Sequence, residues 1–576
     1  MKARGFSALP ASRRNLWFVI IALCIALGST LLHFPSLKGQ LVTDDLVLVS
    51  DFDRRGCGDK DPVGCFHNLI GHFYYRPMLS ASFAFGQMFH NNDSVWFHRE
   101  NLAMHLFAVL ACIWAFRLLF RRRHTALIAG AVVAFHPFNV TVTSWIGGRT
   151  DTMALGFMAV YALGVMQAGR RIRLMQHIPA KRKLPGRAGA VLWASVAAIA
   201  LLASVFTKEQ SMGLLFLAPM LAMGVKGASH RKKPFPYWTA VYLIPVGIFA
   251  VVAHSVLQYL DFDHADWSIP QHIEMVGRTM SYYASEFFLP TVNDQHVSTI
   301  GPWNQSEILR ALIGYAAAVL WCVCVVRTWK NRQARLCLLW ASLCIGPVLN
   351  VIPIPNALAA PFRTAVAMFG VSGCLALLLS PDEVKLKAGS RLAALAPRLR
   401  LAAGACLAAL YLTVTVMDVP NWMSEWTYVQ AQVAADPNFV CARASVASGY
   451  ALRGDLQGAL SRYNVCLEML FGKDTPVEKY ADMLRAPHML PVMQSMSTLR
   501  YRPLQYIPQV IRERGKVLLA LKRYEEAARD FRAVLTVSAD DTDARTALVS
   551  CYRSLGQNEQ AEAVKSMQDV LAHHPL

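Results

Sequence analysis

The sequence predicts an all-α protein: a polytopic membrane domain over residues 1–418 and a soluble solenoid of helix pairs over 419–576. Three observations carry this. The chain is 55% hydrophobic and only 16% charged, with a mean hydropathy of +0.33, a composition typical of membrane proteins. Its formal charge of +20 is unevenly distributed: residues 419–576 hold 18 basic and 17 acidic residues, the remainder 39 and 20. Beyond Asp418 the long apolar runs give way to mixed-charge, helix-forming sequence with an internal period.

Apolar spans fall near 16–34, 102–120, 125–145, 152–168, 189–206, 211–226, 237–257, 309–327, 336–352, 361–380 and 401–418, about eleven transmembrane helices in all. Leu16–Phe34 lacks a small-residue cleavage site and reads as an anchor. The basic runs Arg13-Arg14, Arg121–Arg123, Arg170 to Arg187, Arg231–Lys233, Arg327 to Arg335 and Lys385 to Arg400 occupy alternate connections. With a cytosolic amino terminus all six lie on one side, as the positive-inside rule requires. The surplus charge therefore sets topology, and no nucleic-acid partner is expected. An odd number of spans puts the tail outside the cytosol, which suits a bacterial inner membrane with the tail in the periplasm, or the lumen in a eukaryote.

The first outer loop, 35–101, contains Met78–Phe89, apolar but too short to span, which reads as an interfacial helix. Tyr282-Tyr283 to Phe287-Phe288 has a similar surface-lying character. Cys57 and Cys65 sit in the first outer loop, where a disulfide and two free thiols remain equal alternatives. No CxxC pair is present, so no zinc site is expected, and no other metal or cofactor.

In the tail, the pattern Gly-x2-Tyr…Gly…Ala…aromatic placed on a 34-residue grid gives units beginning near 440, 508 and 542. Ala459, Ala527 and Ala561 share one position, with Tyr463 and Phe531 four residues on. The small Ala lets two antiparallel helices approach, and the aromatic fills the gap above it. Pro476, Pro487, Pro491 and Pro503 break the slot 474–507, an insertion between units.

Candidate chemistry gathers at the outer span ends. Asp44-Asp45 follows the first span, where an acidic pair carries a desolvation cost unless it is partnered. The turn Trp145–Asp151 sets Arg149 and Asp151 beside two glycines; its plain alternative is Asp151 capping the helix and pairing Arg149. Lys208-Glu209 forms a second charged turn. Arg363 follows the Pro353, Pro355 and Pro361 breaks, with snorkelling as its plain reading. His98, Asn101 and His105 share a helix face that reads as packing or as hydrogen bonding to the Asp44 loop. His136-Pro137 kinks the third span, as cleft lining or as a satisfied buried imidazole. Acids and fixed cations against apolar walls describe an active site.

The ordered set Asp44-Asp45, Tyr75-Arg76-Pro77, Phe97-His98…Asn101…His105, Phe135-His136-Pro137, Gly148–Asp151 and Lys208-Glu209, ending in helical repeats, resembles the transmembrane-and-tetratricopeptide O-mannosyltransferases. That family usually places Glu before its late Arg and Tyr three residues after it; here Phe362 precedes Arg363 and Val366 follows. The resemblance implies a C-type glycosyltransferase fold, tetratricopeptide-like repeats, a polyprenyl-phosphate-linked sugar donor and a protein hydroxyl as acceptor. It implies Asp44 as base with Asp45 as substitute, and Arg149, Lys208 and Arg363 on the donor phosphate. Asp151 and Glu209 would orient the cations or the sugar, and Arg76, His105 and His136 support the site. The alternatives are the same chemistry on a lipid or polysaccharide acceptor, and a non-catalytic scaffold anchored in the membrane. A transporter would more often carry its polar groups at mid-span.

The topology makes a direct prediction. A reporter active only outside the cytosol, fused after Leu576, should be active, whereas a cytosolic readout would reverse the membrane orientation.

Overall fold

The computed structural model describes residues 11–43, 45, 75–90, 93–120, 122–175, 184–223, 237–257, 269–292, 305–351, 359–380, 391–435, 437, 439–485 and 503–573. Asp44, Cys57 and Cys65 lie outside the described residues. The described chain is helical throughout, without strands. The membrane-domain helices are α1 (Ala11–Leu32), α2 (Pro77–His90), α3 (Ser94–Leu119), α4 (Arg123–Phe135), α5 (Phe138–Ser144), α6 (Arg149–Met175) and α7 (Leu184–Thr207). They continue with α8 (Ala218–Met223), α9 (Leu243–Leu257), α10 (Ile269–Phe288), α11 (Gln305–Arg327), α12 (Arg332–Ile345), α13 (Ala365–Leu379) and α14 (Arg391–Asp418).

Among the described residues, eight helices are long and apolar enough to cross a membrane, or nine if α4 and α5 count as one bent span. The bend is 59° and falls at His136-Pro137. Pro137 has no amide hydrogen and its ring crowds the preceding turn, so the helix breaks there. Two of the expected spans take another form. Of the span 211–226, the described residues 211–223 are divided between a 3-10 segment, Glu209–Leu217, and the short α8. Residues 336–352 are divided between α12 and a 3-10 turn, Gly346–Val348. Pro219 and Pro347 fall at these breaks, where a continuous α-helix loses a donor.

The bundle core joins α3, α4, α6, α7, α12 and α13 around fully buried Phe116, Phe120, Tyr161, Trp340 and Phe369. In lipid such contacts contribute through close packing rather than through water exclusion. As expected for an interfacial segment, α2 leaves Phe85, Met88 and Phe89 exposed. The segment 282–288 differs from its expectation. Helix α10 buries Tyr282, Tyr283, Glu286 and Phe287, so it packs into the bundle rather than lying on a surface.

The tail consists of α15 (Glu425–Ala435), the pair α16 (Val440–Leu452) and α17 (Leu456–Phe471), the short α18 (Tyr480–Arg485), the pair α19 (Pro503–Ala520) and α20 (Tyr524–Val537), and the pair α21 (Thr542–Ser554) and α22 (Asn558–His573). Ala459, Ala527 and Ala561 are buried, as are Tyr463 and Phe531 above them. Helix α19 begins at Pro503, ahead of the expected start, and carries Pro508 inside its first turns. Arg514 bridges the insertion, donating from Nε and Nη2 to the Asp530 carboxylate at 2.8 and 2.6 Å and from Nη1 to Asn464 Oδ1 at 3.1 Å. Membrane domain and tail meet where Gln40 N donates to the Met423 carbonyl (3.0 Å) and Thr43 N to Glu425 Oε2 (2.8 Å). Val42, Val140, Val419, Trp422 and Tyr428 form the apolar seam beneath.

The turn inside each helix pair carries a left-handed residue: Gly454 (φ 84°), Lys522 (φ 62°) and Gly556 (φ 73°). Only the middle pair pays for it with a side chain, since an L-residue there costs roughly 1–2 kcal/mol. Lys522→Gly should therefore stabilise α19–α20 by about 0.5–1 kcal/mol after the added unfolded-state entropy of glycine. Hydrogen-exchange protection of these two helices in the intact protein reads this; unchanged or lower protection would refute it.

Candidate active site at the outer span ends

The site is built on the turn between α5 and α6. Gly148 turns so closely under α5 that an added Cβ would lie 2.5 Å from the Thr141 carbonyl oxygen, so no side chain fits there. Arg149 then points inward and is 1% exposed. Its Nε donates to Asn101 Oδ1 at 2.7 Å, its Nη2 to the Phe97 carbonyl at 3.0 Å, and its Nη1 lies 2.8 Å from Glu100 Oε2. The guanidinium carbon stands 4.6 Å from the centre of the Phe83 ring. Asn101 Nδ2 completes the clamp by donating to the Thr143 and Trp145 carbonyls at 3.2 and 3.0 Å.

Asp45 is fully buried against this turn. Its Oδ1 accepts from Gly147 N at 2.8 Å and its Oδ2 from Val42 N at 3.1 Å. The carboxylate therefore anchors the first outer loop to the membrane domain, immediately beside Asp44 in sequence.

Asp151, two residues into α6, pairs with Lys208 rather than with Arg149; both side chains are buried. Burial pushes the Lys208 ammonium down from its usual range, and Asp151 opposes that. Lys208 Nζ also sits 5.4 Å from the centre of the Phe362 ring. Next to it, Glu209 accepts from Arg76 in a forked pair, Nη2 to Oε1 at 2.9 Å and Nε to Oε2 at 3.3 Å. This pair is the open edge of the cluster, Arg76 being 18% and Glu209 53% exposed. Its partial enclosure pushes the Glu209 carboxyl up, but the charge and hydrogen bonds of Arg76, with Lys208 behind it, together hold it down at about 2. Arg76, Asp151, Lys208 and Glu209 all feel one another's charge, a network of two cations and two anions.

Arg363 joins from the 3-10 turn Pro361–Thr364 that leads into α13. Its carbonyl accepts from Gln210 Nε2 at 3.0 Å, and its guanidinium interacts with Tyr283 of α10. Phe362 lies tilted against Trp145 (5.7 Å), which in turn stacks on Trp422 (6.1 Å). Two polar atoms in this network, Trp145 Nε1 and Gln210 Oε1, are buried without a hydrogen-bond partner.

The histidines serve packing. His105 Nε2 lies 3.1 Å from Ser29 Oγ, and its ring stands edge-on to His33 at 5.3 Å. The His98 ring abuts Gly39, linking α3 to the start of the first loop. His136 Nδ1 accepts from Phe138 N at 3.1 Å, with its ring against Tyr411 at 4.6 Å. Among the described residues no group of three His, Cys, Asp or Glu side chains converges as metal ligands would.

Sequence reasoning missed Glu100, Gln210 and the buried polar stripe Glu274, Arg278, Tyr283 and Glu286 on α10. The one signal for the stripe was the occurrence of these polar residues at helical spacing within an otherwise amphipathic segment.

The tetratricopeptide repeat family matches residues 518–566, covering most of α20 to α22. No curated protein and no solved structure matches the chain.

Breaking the buried Lys208–Asp151 pair from one side should be worse than removing both charges, because a single mutant leaves an uncompensated buried charge, a loss of roughly 3–5 kcal/mol. Lys208→Met should lower the thermal midpoint of the purified protein more than the Lys208→Met, Asp151→Asn double variant does. Additive losses would show that the two charges do not act as a pair.

Proposed function

We propose that this protein is an integral-membrane glycosyltransferase that moves a sugar from a polyprenyl-phosphate donor to a protein hydroxyl on the side facing away from the basic connections. The observation that carries this reading is the network of Arg76, Glu209, Lys208 and Asp151, joined through Phe362 and Gln210 to Arg363, with Trp145 Nε1 and Gln210 Oε1 buried without partners on neighbouring side chains. Buried polar atoms without partners inside a charge network suit a polar ligand. The repeat match supports a protein acceptor, since repeat arrays form concave peptide-binding surfaces.

In this mechanism the acceptor oxygen bonds to the anomeric carbon as the carbon–oxygen bond to the lipid phosphate breaks, with inversion. The acceptor proton passes to a carboxylate, and the phosphate leaves with the bonding electrons. Asp45 has both oxygens engaged in holding Val42 and Gly147, which makes it a positioning residue and leaves Asp44 as the base. Arg149 is enclosed by its own partners and holds the turn rather than the donor. The phosphate is better served by Arg76, at the open edge, and by Arg363, with Lys208 behind them. No cofactor is needed for this chemistry.

Eleven crossings remain the proposed topology. Nine residues of 3-10 helix and six of α-helix in Glu209–Met223 reach about 27 Å, as do the fourteen and three residues of Arg332–Val348, close to a hydrocarbon core of roughly 30 Å.

Asp44→Asn should slow transfer by roughly 10²–10⁴-fold without loss of the folded protein. Arg76→Ala should raise KM for the lipid donor equally for every acceptor, and Arg76→Lys should recover only part, lacking the guanidinium fork. Full turnover in both Asp44→Asn and Asp45→Asn would remove the base from this loop and overturn the reading.

A further inference from the structure

The opposite end of the bundle holds a second feature, which the transfer chemistry does not use. Between α1, α3, α6 and α7 opens a cleft of about 790 Å³, within the size range of ligand sites. Its walls are apolar, formed by Phe18, Leu110, Trp114, Val160, Leu163 and Trp193. Arg117 and Arg170 line it as well, each near the carboxyl-terminal end of its helix, where the cleft's charged mouth lies. The Arg117 guanidinium carbon lies 5.8 Å from the centre of the Phe18 ring, which meets Trp114 edge-on at 5.6 Å.

The charge at this mouth is unbalanced. Arg117 feels Arg123 and Arg170 as like charges, and Arg173 feels Arg170 and Arg332. Among the described residues, none of Arg117, Arg123, Arg170 and Arg173 forms an ion pair with a carboxylate. Arg123 donates to Asn15 Oδ1 from Nη2, while its Nε is buried without a partner. Positive-inside topology explains why arginines lie at this end, but not why they rim an apolar cleft. Guanidinium groups crowded together at a lipid-facing surface call for a counter-charge, and basic pockets between transmembrane helices on the cytoplasmic side are suited to anionic headgroups. The apolar walls below them match acyl chain, and a free anion would leave those walls unfilled.

We propose that this cleft is a binding site for one anionic phospholipid of the leaflet on the basic face, its phosphate held by Arg117 and Arg170 and an acyl chain lying against Phe18, Trp114 and Trp193. The site is independent of the transferase reading and lies at the other end of the helices from Asp45. Bound there, the lipid ties α1 and α3 to α6 and α7, the helices whose far ends carry the Asp45 anchor, Arg149, Asp151 and Lys208.

Native mass spectrometry of the purified full-length protein, stripped of co-purified lipid, tests this with phosphatidylglycerol and phosphatidylcholine of identical acyl chains. The expected result is one phosphatidylglycerol retained under activation that strips phosphatidylcholine, with no displacement by excess inorganic phosphate. Replacing both arginines, Arg117→Ala with Arg170→Ala, should lower the retained phosphatidylglycerol at least tenfold. Should that variant fail to fold, Arg117→Lys with Arg170→Lys keeps the charge, loses the fork and should retain an intermediate amount. Val160→Trp fills the cleft with the charges intact and should also abolish retention. Equal retention of the two lipids, displacement by inorganic phosphate, or undiminished phosphatidylglycerol in the folded Ala or Trp variants would each overturn the proposal.

Discussion

One end of the apolar helical bundle depends on one buried cation. Arg149 sits beneath Phe83 with its three nitrogens directed at Asn101, the Phe97 carbonyl and Glu100. A guanidinium removed from water and left unmatched would be strongly destabilising, so this geometry leaves the turn between α5 and α6 almost no freedom. Everything near the candidate site hangs on that turn. Gly147 offers the amide that holds Asp45, Trp145 packs against Phe362, and Asp151 receives Lys208.

This arrangement separates residues that fix geometry from residues that meet a ligand. The innermost ion pair, Lys208–Asp151, is closed to solvent, while Arg76–Glu209 lies at the edge and Arg363 between them. On the proposed reading, a site graded in this way is preorganised, because its charges already face one another in low dielectric and need little reorientation to meet a phosphate. The nine-residue 3-10 segment following Lys208 fits the same picture. Such runs are rarely so long, and this one delivers Lys208, Glu209 and Gln210 in succession toward three different partners.

The sequence made the positions of the charged residues legible but not their partners. Asp45, Arg76, Arg149, Asp151, Lys208, Glu209 and Arg363 all stand at the ends of apolar runs, and hydropathy alone finds such places. Which carboxylate meets which cation depends on helix rotation and crossing, set by packing between residues 48 to 133 apart in the chain. Hence Arg149, a phosphate candidate in sequence, is buried as a clamp in the fold: Asn101 stood out on its helix face with His98 and His105, but nothing in the sequence joined that face, or Glu100, to Arg149. The helix pairs of the tail were readable, since each buries an Ala at a fixed period, two of them under an aromatic, and needs only its neighbours. Spans 211–226 and 336–352 were over-read as continuous α-helices, because hydropathy measures apolar content and is blind to a proline break.

The first outer loop is held from two sides, and this gives the tail a physical connection to the acidic pair. Asp45 fastens it to the membrane domain through Gly147, while Gln40 and Thr43 fasten it to the tail through Met423 and Glu425. Thr43, at φ 54°, is in the left-handed region, a strained conformation for a β-branched residue that persists only where surrounding contacts enforce it. The enforcing contacts come from both domains at once, one residue before Asp44. On the proposed reading, the repeats act as more than a remote acceptor platform. Any movement of α15 against the bundle shifts Glu425, and with it the backbone from which the base projects, so acceptor docking and the position of the base are mechanically coupled.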